Sequence, residues 1–152
     1  MPDSDKIAAA TKAQQTAEAV AAALYARDAA AQGLGILLLE VRPGFARMAM
    51  TVRPNMLNAH DICHGGFTFA LADTTFAYAC NNRNHVTVAA GCDIIYPVAG
   101  RLGDVLTAVA EERHLRGRSG VYDITVTSQS GEVVALMRGQ SRRIEGKNVP
   151  DL

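Results

Sequence analysis

Apolar residues recur along this chain with two different spacings. Residues 46–53 (ARMAMTVR) alternate with a period of two, so that Met48 and Met50 face one side of a strand and the residues between them the other. The run 35–41 (GILLLEV) precedes it, and the turn residues Arg42-Pro43-Gly44 separate the two. This pattern predicts a β-hairpin with one buried face.

Residues 65–80 (GGFTFALADTTFAYAC) are small or apolar almost without interruption, so we interpret them as a buried helix entered through a glycine pair. Further strand-like runs follow, with turn residues between them. They span residues 86–96, 104–114, 120–128 and 132–144. Two strands, one apolar helix and four more strands indicate an α+β domain, in which a single antiparallel sheet covers the helix.

The N-terminal segment has a different composition. Residues 8–31 are rich in alanine with scattered charges, which is typical of a helix, and Gly33 and Gly35 supply its stop. Because the segment has few large apolar groups, we expect a surface arm. The predicted organisation is an N-terminal helical arm (1–33), one globular domain (34–145) and a loose C-terminal tail (146–152).

Composition narrows the classes of protein and partner. The chain has 152 residues, 49% hydrophobic and 20% charged, which fits one globular domain with a core. Fifteen Lys and Arg balance fifteen Asp and Glu, so no overall field attracts nucleic acid or an anionic membrane. We therefore expect neither as a partner.

The cysteines and the N-terminal residues indicate the cellular compartment of the protein. Cys63, Cys80 and Cys92 are odd in number and lack C-x-x-C spacing, which argues against a disulfide framework and a structural zinc site. Charges such as Asp3 and Asp5 interrupt the first residues, unlike the apolar region of a signal peptide. We expect a cytoplasmic protein.

Asp73 is the first candidate for chemistry. It lies in the middle of the predicted buried helix, where apolar neighbours flank it on every side. Burial disfavours the charged form of a carboxyl group, so such a residue is either paired or functional. On the helix alone both interpretations stay open: a hydrogen bond to a neighbouring loop, or a catalytic carboxylate.

The glycine pair after His64 is the second candidate. The first turn of a helix has unpaired N–H groups and a partial positive charge, and without side chains at Gly65 and Gly66 a ligand oxygen can approach closely. Such a site stabilises an oxyanion. A Gly-Gly pair by itself also fits a tight turn into the helix. Only its combination with Asp73 favours an oxyanion site over such a turn.

These residues lie in a longer motif. The segment 56–81 (MLNAHDICHGGFTFALADTTFAYACN) resembles the core motif of the hot-dog-fold thioesterases, and closely that of the phenylacetic acid degradation thioesterases. The similarity continues through residues 117–144 and so covers most of the chain. The resemblance implies a hot-dog domain, an antiparallel sheet wrapped around one long helix, that hydrolyses an aryl- or acyl-coenzyme A (CoA) thioester of phenylacetyl or hydroxyphenylacetyl type without a cofactor.

The resemblance also implies roles for individual residues. Gly65 donates its N–H to the thioester carbonyl, Asp73 is nucleophile or general base, and Asn58 and His64 orient the carbonyl and water. Thr74 is a further pocket candidate. In the branch of the superfamily that has Glu in place of this Asp, a Thr that positions water often follows four residues later. This chain has Ala77 at that position, so the role of that Thr does not transfer.

The same residues also suggest other functions. A non-catalytic acyl-CoA-sensing domain would use the same fold but has no reason to bury Asp73, and a dehydratase needs a closer Asp–His pair. His60, Asp61 and His64 suggest metal ligands, but no second ligand cluster accompanies them, so we expect no metal. Cys63 is adjacent to His64 on an extended segment, where neighbours point opposite ways, so we interpret it as packing.

Basic residues concentrate near the C-terminus, which usually indicates a solvated face. With a CoA substrate, some of them can bind its phosphates, because guanidinium groups make fork-shaped, charge-assisted contacts. We expect Arg116 and Arg118 to do so, with Ser119 near the pantetheine arm.

Helix geometry predicts a site shared between two chains. Gly65 and Asp73 are eight residues apart, which separates them by roughly 12 Å along a helix and rotates them by about 80°. One thioester carbon cannot contact both, so Asp73 must come from an antiparallel helix of a second chain. The resemblance implies the same homodimer, often doubled to a homotetramer.

Overall fold

A computed structural model describes residues 4–152. The first three residues of the predicted arm lie outside the described part. In chain order the elements are α1 (Ser4–Tyr25), α2 (Ala29–Leu34), β1 (Leu37–Arg42), β2 (Phe45–Thr51), a 3-10 turn (Pro54–Met56), α3 (Gly65–Asn81), β3 (His85–Ile95), β4 (Val105–Arg116), β5 (Ser119–Thr127) and β6 (Val133–Lys147).

The six strands form one antiparallel sheet in the order β1-β2-β4-β5-β6-β3, and α3 packs against one of its faces. Each predicted strand is present, with ends shifted by a few residues. This is the hot-dog arrangement, so the predicted α+β fold is confirmed. The sheet leaves β1 and β3 as its two edges.

Close packing between α3 and the sheet explains the small residues on the inner strands. Phe76 of α3 packs on Tyr122 of β5 with ring centroids 5.3 Å apart. A β-carbon on Gly139 of β6 would lie only 2.8 Å from the Phe76 ring, so that position admits no side chain without a shift. The alanines Ala108 and Ala110 on β4 are likewise fully buried.

The sheet covers only one side of α3. Along its other side run Gly66, Ala70, Asp73, Thr74 and Ala77, which all keep partial or full exposure. Positions four, seven and eleven residues beyond Gly66 share one helix face, so these residues form a continuous stripe. The expectation of a helix buried on all sides therefore needs correction: within one chain α3 has an uncovered stripe, with Asp73 at its centre.

The N-terminal arm is two helices rather than the single one expected. Asp28 separates them, because its Oδ1 accepts a hydrogen bond from Ala31 N at 2.9 Å and so caps the start of α2. Gly35, with φ of 69°, ends α2, whereas Gly33 lies inside it. No helix within residues 4–152 is long and apolar enough to cross a membrane.

The loose tail predicted for residues 146–152 also needs correction. Gly146 and Lys147 extend β6, and Asn148 is buried. The Asn148 amide donates to Asn81 O at 3.2 Å and His85 O at 3.1 Å, while Val149 N donates to Asn84 Oδ1 at 2.8 Å. These hydrogen bonds fasten the chain end to the end of α3, a long-range pairing that composition does not reveal.

Candidate active site

A short closed loop presents the start of α3. Leu57 and Cys63 form an isolated antiparallel bridge, and Cys63 N donates to Gly100 O at 2.8 Å. His64 N donates to Met56 O at 2.9 Å. Because both ends of the loop are hydrogen-bonded to neighbouring backbone, the first turn of α3 has a fixed position.

Asn58 organises this loop through its side chain. Its Oδ1 accepts hydrogen bonds from His60 N at 2.9 Å and Ile62 N at 3.4 Å. Its Nδ2 donates to no atom within residues 4–152. The predicted role in orienting substrate is thus restricted to this amide group, since the oxygen is already used by the loop.

His64 caps α3. Its Nδ1 accepts a hydrogen bond from Gly66 N at 2.9 Å. A nitrogen that accepts carries no proton, so the neutral imidazole has its proton on Nε2. The exposed His64 ring therefore offers an N–H donor toward solvent while its other nitrogen holds the helix.

In the first turn of α3, the Gly65 N–H is a hydrogen-bond donor without an acceptor in the described part of the chain. Gly66 N is satisfied by His64, whereas Gly65 N donates to no acceptor within residues 4–152. A lone N–H at the positive end of a 17-residue helix suits an oxyanion. Of the two glycines, Gly65 keeps its N–H available within residues 4–152, and Gly66 belongs to the cap.

Tyr96 is a site residue that the sequence did not reveal. Its hydroxyl donates to Gly65 O at 3.2 Å, and its ring lies 3.3 Å from where a β-carbon of Gly65 would be. Tyr96 is at the end of β3, 31 residues away along the chain. The Pro97 that follows marks the end of the strand, but nothing local indicates a contact with the helix.

A pocket of ≈ 240 Å³ opens beside Gly65. The residues that line it include Asn58, Ile62, Cys63, Thr68, Tyr96 and Val134. The lining is largely apolar and includes a few polar side chains, which fits an organic acyl group better than an ion.

Asp73 does not line that pocket. It is half-buried on the uncovered stripe and makes no hydrogen bond or salt bridge within residues 4–152. Burial raises the pKa of its carboxyl above the ordinary value. Burial, with the Asp73 charge adding to it, raises the pKa of Cys80 to about 12 and also raises the pKa of Cys92. Within residues 4–152, Asp73 is thus a carboxyl group without a polar partner, near the thiols of Cys80 and Cys92.

Since α3 is continuous, Gly65 and Asp73 remain about 12 Å apart along its axis. The structure therefore brings Asn58, His64 and Gly65 together and leaves Asp73 and Thr74 about two turns away. Thr74 is half-buried on the uncovered stripe beside Asp73.

The predicted CoA-binding residues lie elsewhere in the chain. Arg116, Arg118 and Ser119 are exposed in the β4–β5 turn, which adjoins Cys80 on the last turn of α3. Cys80 is about 22 Å from Gly65 along the helix axis. Ser119 Oγ accepts from Arg142 at 3.3 Å.

Within residues 4–152, neither a cysteine nucleophile nor a metal site has the neighbouring groups that it would need. Burial raises the pKa of the Cys63 thiol, which opposes a thiolate nucleophile, and its Sγ lies 3.6 Å from Thr68 Oγ1. Within residues 4–152 no group of three His, Cys, Asp or Glu side chains is arranged to hold a metal ion.

Comparison with known proteins decides the family. A family model described as the thioesterase superfamily matches residues 60–135, which include the His64–Gly66 turn and Asp73. The chain belongs to the thioesterase superfamily. It is therefore a thioester hydrolase, which confirms the activity that the resemblance implies.

Relatives within the superfamily are close. The acyl-coenzyme A thioesterase PaaI of Escherichia coli K12 is 49% identical over 124 residues, 82% of this chain and 89% of that protein. The solved E. coli PaaI structure, from the phenylacetic acid degradation operon, matches with a TM-score of 0.87 and 47% identity over 88% of this chain and 97% of that one. A Streptococcus mutans structure bound to acetyl-CoA matches with a TM-score of 0.70 and 26% identity, covering 74% and 90%.

Proposed function

We propose that this thioesterase hydrolyses the CoA thioester of an aromatic acid, of phenylacetyl or hydroxyphenylacetyl type, to the free acid and CoA. The observation that carries the proposal is the unsatisfied Gly65 N–H at the edge of an apolar pocket. The similarity to E. coli PaaI supports the acyl class. The Streptococcus mutans relative bound to acetyl-CoA supports the thiol portion.

The active site in this proposal forms between two chains. Gly65 of one chain and Asp73 of the partner subunit flank the thioester, because one continuous helix keeps the two residues of a single chain apart. The small residues Gly66, Ala70 and Ala77 on the uncovered stripe allow a second helix to approach closely. A two-fold axis through this contact then generates two equivalent sites.

The edge strand β3 supports the same dimer. Residues 88–93 are exposed on both faces, and several are small or apolar, such as Val88, Ala89 and Cys92. An exposed edge with unpaired backbone groups is suited to pairing with a second strand. Pairing of β3 with its copy would place two α3 helices side by side, and a further doubling would give the homotetramer.

The chemistry follows from the two groups. The thioester carbonyl oxygen gains negative charge as its carbon becomes tetrahedral, and the Gly65 N–H stabilises that charge. The Asp73 carboxylate either attacks the carbon directly, forming an anhydride that water then hydrolyses, or removes a proton from an attacking water. In both routes the C–S bond breaks and the thiolate leaves. The Asn58 amide and His64 Nε2–H orient the carbonyl and the water.

The remaining assignments are proposals of the same kind. Arg116 and Arg118 contact the CoA phosphates and Ser119 the pantetheine arm, while Gly66 and Thr74 border the substrate. The three free cysteines support a cytoplasmic location.

A panel of acyl-CoA substrates tests the function, with released thiol as the readout. We expect arylacetyl-CoA thioesters to give the highest kcat/KM. Faster turnover of straight-chain acyl-CoAs than of phenylacetyl-CoA would overturn the acyl class. Single turnover in heavy-oxygen water separates the two routes, since label in the Asp73 carboxylate indicates direct attack.

A further inference from the structure

Thr68 places a buried hydroxyl in the wall of the pocket beside Gly65. It lies one turn into α3 and is only 2% exposed, yet it lines this pocket together with Cys63 and Val134. The chemistry proposed for Gly65 and Asp73 does not involve it. A buried polar group at the edge of a substrate pocket therefore needs an explanation of its own.

The hydroxyl of Thr68 has no oxygen or nitrogen partner within residues 4–152. Its one hydrogen-bond contact is with the sulfur of Cys63, at 3.6 Å, and sulfur is a weak partner. The Cys63 thiol also lies 3.7 Å from His64 O, so its single proton has another acceptor. Because a hydroxyl can donate one hydrogen bond and accept two, most of the capacity of Thr68 is unused.

Thr75 shows the usual arrangement on the same helix. It is also fully buried, but its Oγ1 donates to Leu71 O at 2.7 Å, four residues back along α3. The equivalent carbonyl for Thr68 is His64 O, which accepts from Phe67 N at 2.9 Å and from the Thr68 N at 3.5 Å. The Thr68 hydroxyl does not join them, so it remains available to a group in the pocket.

The rest of the buried wall gives a ligand little to bond with. The other buried side chains that line the pocket within residues 4–152, Cys63 and Val134, carry no oxygen or nitrogen. The neighbouring Gly100 O already accepts a hydrogen bond from Cys63 N at 2.8 Å. A polar substituent that enters the pocket therefore meets the Thr68 hydroxyl as its hydrogen-bonding partner.

We propose that Thr68 selects acyl groups that carry a hydroxyl substituent, by forming a hydrogen bond between its own hydroxyl and that of the acyl group. This inference rests on the proposed function and makes hydroxyphenylacetyl rather than phenylacetyl thioesters the preferred substrates. An unsubstituted ring excludes water from the pocket and leaves the Thr68 hydroxyl without a strong partner. A hydroxylated ring supplies a donor and an acceptor in place of that water.

The position of Thr68 fits a substituent on the ring. Thr68 is three residues after Gly65, so the two are separated by roughly 4.5 Å along the axis of α3 and by about 60° around it. When the thioester carbonyl accepts from the Gly65 N–H, a ring attached through one methylene group extends past this first turn into the pocket. The edge of the ring, not the carbonyl, then lies beside Thr68.

The test measures kcat/KM of the full-length protein for ortho-, meta- and para-hydroxyphenylacetyl-CoA and divides each value by that for phenylacetyl-CoA. At least one of these ratios should exceed one in the wild type. Thr68→Val removes the hydroxyl and keeps the size of the side chain. It should lower that ratio roughly three- to tenfold, the usual effect of one neutral hydrogen bond. Thr68→Ser, which retains a hydroxyl, should keep most of the selectivity.

Thr75→Val is the matched control, because it makes the same change on the same helix at a hydroxyl that is bonded to Leu71 O and does not line the pocket. It should keep the wild-type ratios. An unchanged ratio in folded Thr68→Val, or an equal fall in Thr75→Val, overturns the proposal. Wild-type ratios at or below one for all three isomers overturn it too, and this comparison needs no variant to fold.

Failure of the proposed function can be told apart from failure of the Thr68 contact. If straight-chain acyl-CoAs are hydrolysed faster than the aromatic thioesters, the acyl class is wrong, but ω-hydroxyhexanoyl-CoA compared with hexanoyl-CoA still tests the residue. A fall of roughly three- to tenfold in their kcat/KM ratio in Thr68→Val supports the hydroxyl contact. Equal ratios in the wild-type and Thr68→Val proteins overturn it.

Discussion

Tyr96 closes over Gly65: its hydroxyl donates to Gly65 O at 3.2 Å, and its ring occupies the space in which a Gly65 side chain would begin. The glycine is needed here for close approach rather than for an unusual backbone angle, since its φ is not positive. An aromatic ring and a helix N-terminus together define one wall of the pocket beside Gly65.

Gly65→Ala should fold and lose activity, and Gly65→Val should lose more. The added methyl group meets the Tyr96 ring at 3.3 Å, so the ring or the helix turn must shift and the N–H donor tilts. Loss of one oxyanion donor costs roughly 3–4 kcal/mol, or about 10²–10³ in kcat. The measurement is kcat for phenylacetyl-CoA.

Gly33→Ala is the matched control, because nothing lies within 4 Å of the added β-carbon and the residue is inside α2. It should keep full activity and gain slightly in stability. A folded Gly65→Val variant with wild-type kcat would remove the oxyanion role.

Tyr96 should act through its ring more than through its hydroxyl. Tyr96 is 47% exposed, so its hydrogen bond to Gly65 O competes with water and contributes about 1 kcal/mol or less. We expect Tyr96→Phe to keep kcat within a few-fold, and Tyr96→Ala to lower it substantially. Tyr25→Phe, which removes a similar hydroxyl bond to Ile36 O far from the site, controls for general stability. Equal activity of the Ala and Phe variants would contradict the role of the ring.

Asp73→Asn should lower kcat by about 10²–10⁴, the usual contribution of a general base, while the fold and CoA binding persist. Burial raises the pKa of Asp73, so folding favours the protonated carboxyl. That contribution to stability is present below the ordinary pKa and is lost as pH rises through the raised value. The Asn variant should therefore gain in thermal stability relative to the wild type between acidic and neutral pH.

The raised pKa of Asp73 should also determine the pH at which the wild-type rate falls on acidification. Both routes need the carboxylate, so kcat/KM should rise with pH through a pKa above the ordinary range of an aspartate. A profile of kcat/KM against pH checks this directly. An acid limb at or below the ordinary value would show that Asp73 is not the titrating group.

The sequence predicted the strands and α3 well because period-two alternation and an unbroken apolar run report local burial. It also singled out Gly65 and Asp73 as candidates, since a glycine pair and an isolated acid are unusual in such a helix. It could not find Tyr96, whose contact with Gly65 joins segments 31 residues apart. The same limitation applies to Asn148, whose hydrogen bonds join the chain end to α3.

His64 caps α3 and is also proposed to orient the substrate, and substitution can separate the two roles. His64→Ala removes the cap on Gly66 N and should cost about 1 kcal/mol of stability. His64→Asn restores a good capping side chain but not the Nε2–H donor. If His64 orients substrate, both variants lose activity while only the alanine variant loses stability. Wild-type kcat in a stable His64→Asn protein would reduce His64 to a cap.

The shared site makes the sharpest prediction. Asp73→Asn and Gly65→Val homodimers should each be inactive, because every site lacks one group. After dissociation and reassembly of the two variants together, each mixed dimer contains one site with Gly65 from one chain and Asp73 from the other, both intact. Random mixing makes half of all dimers mixed, so activity should recover to about a quarter of the wild-type value per subunit pair. Verified mixed dimers without activity, or full activity in a monomeric protein, would exclude a site built from two chains.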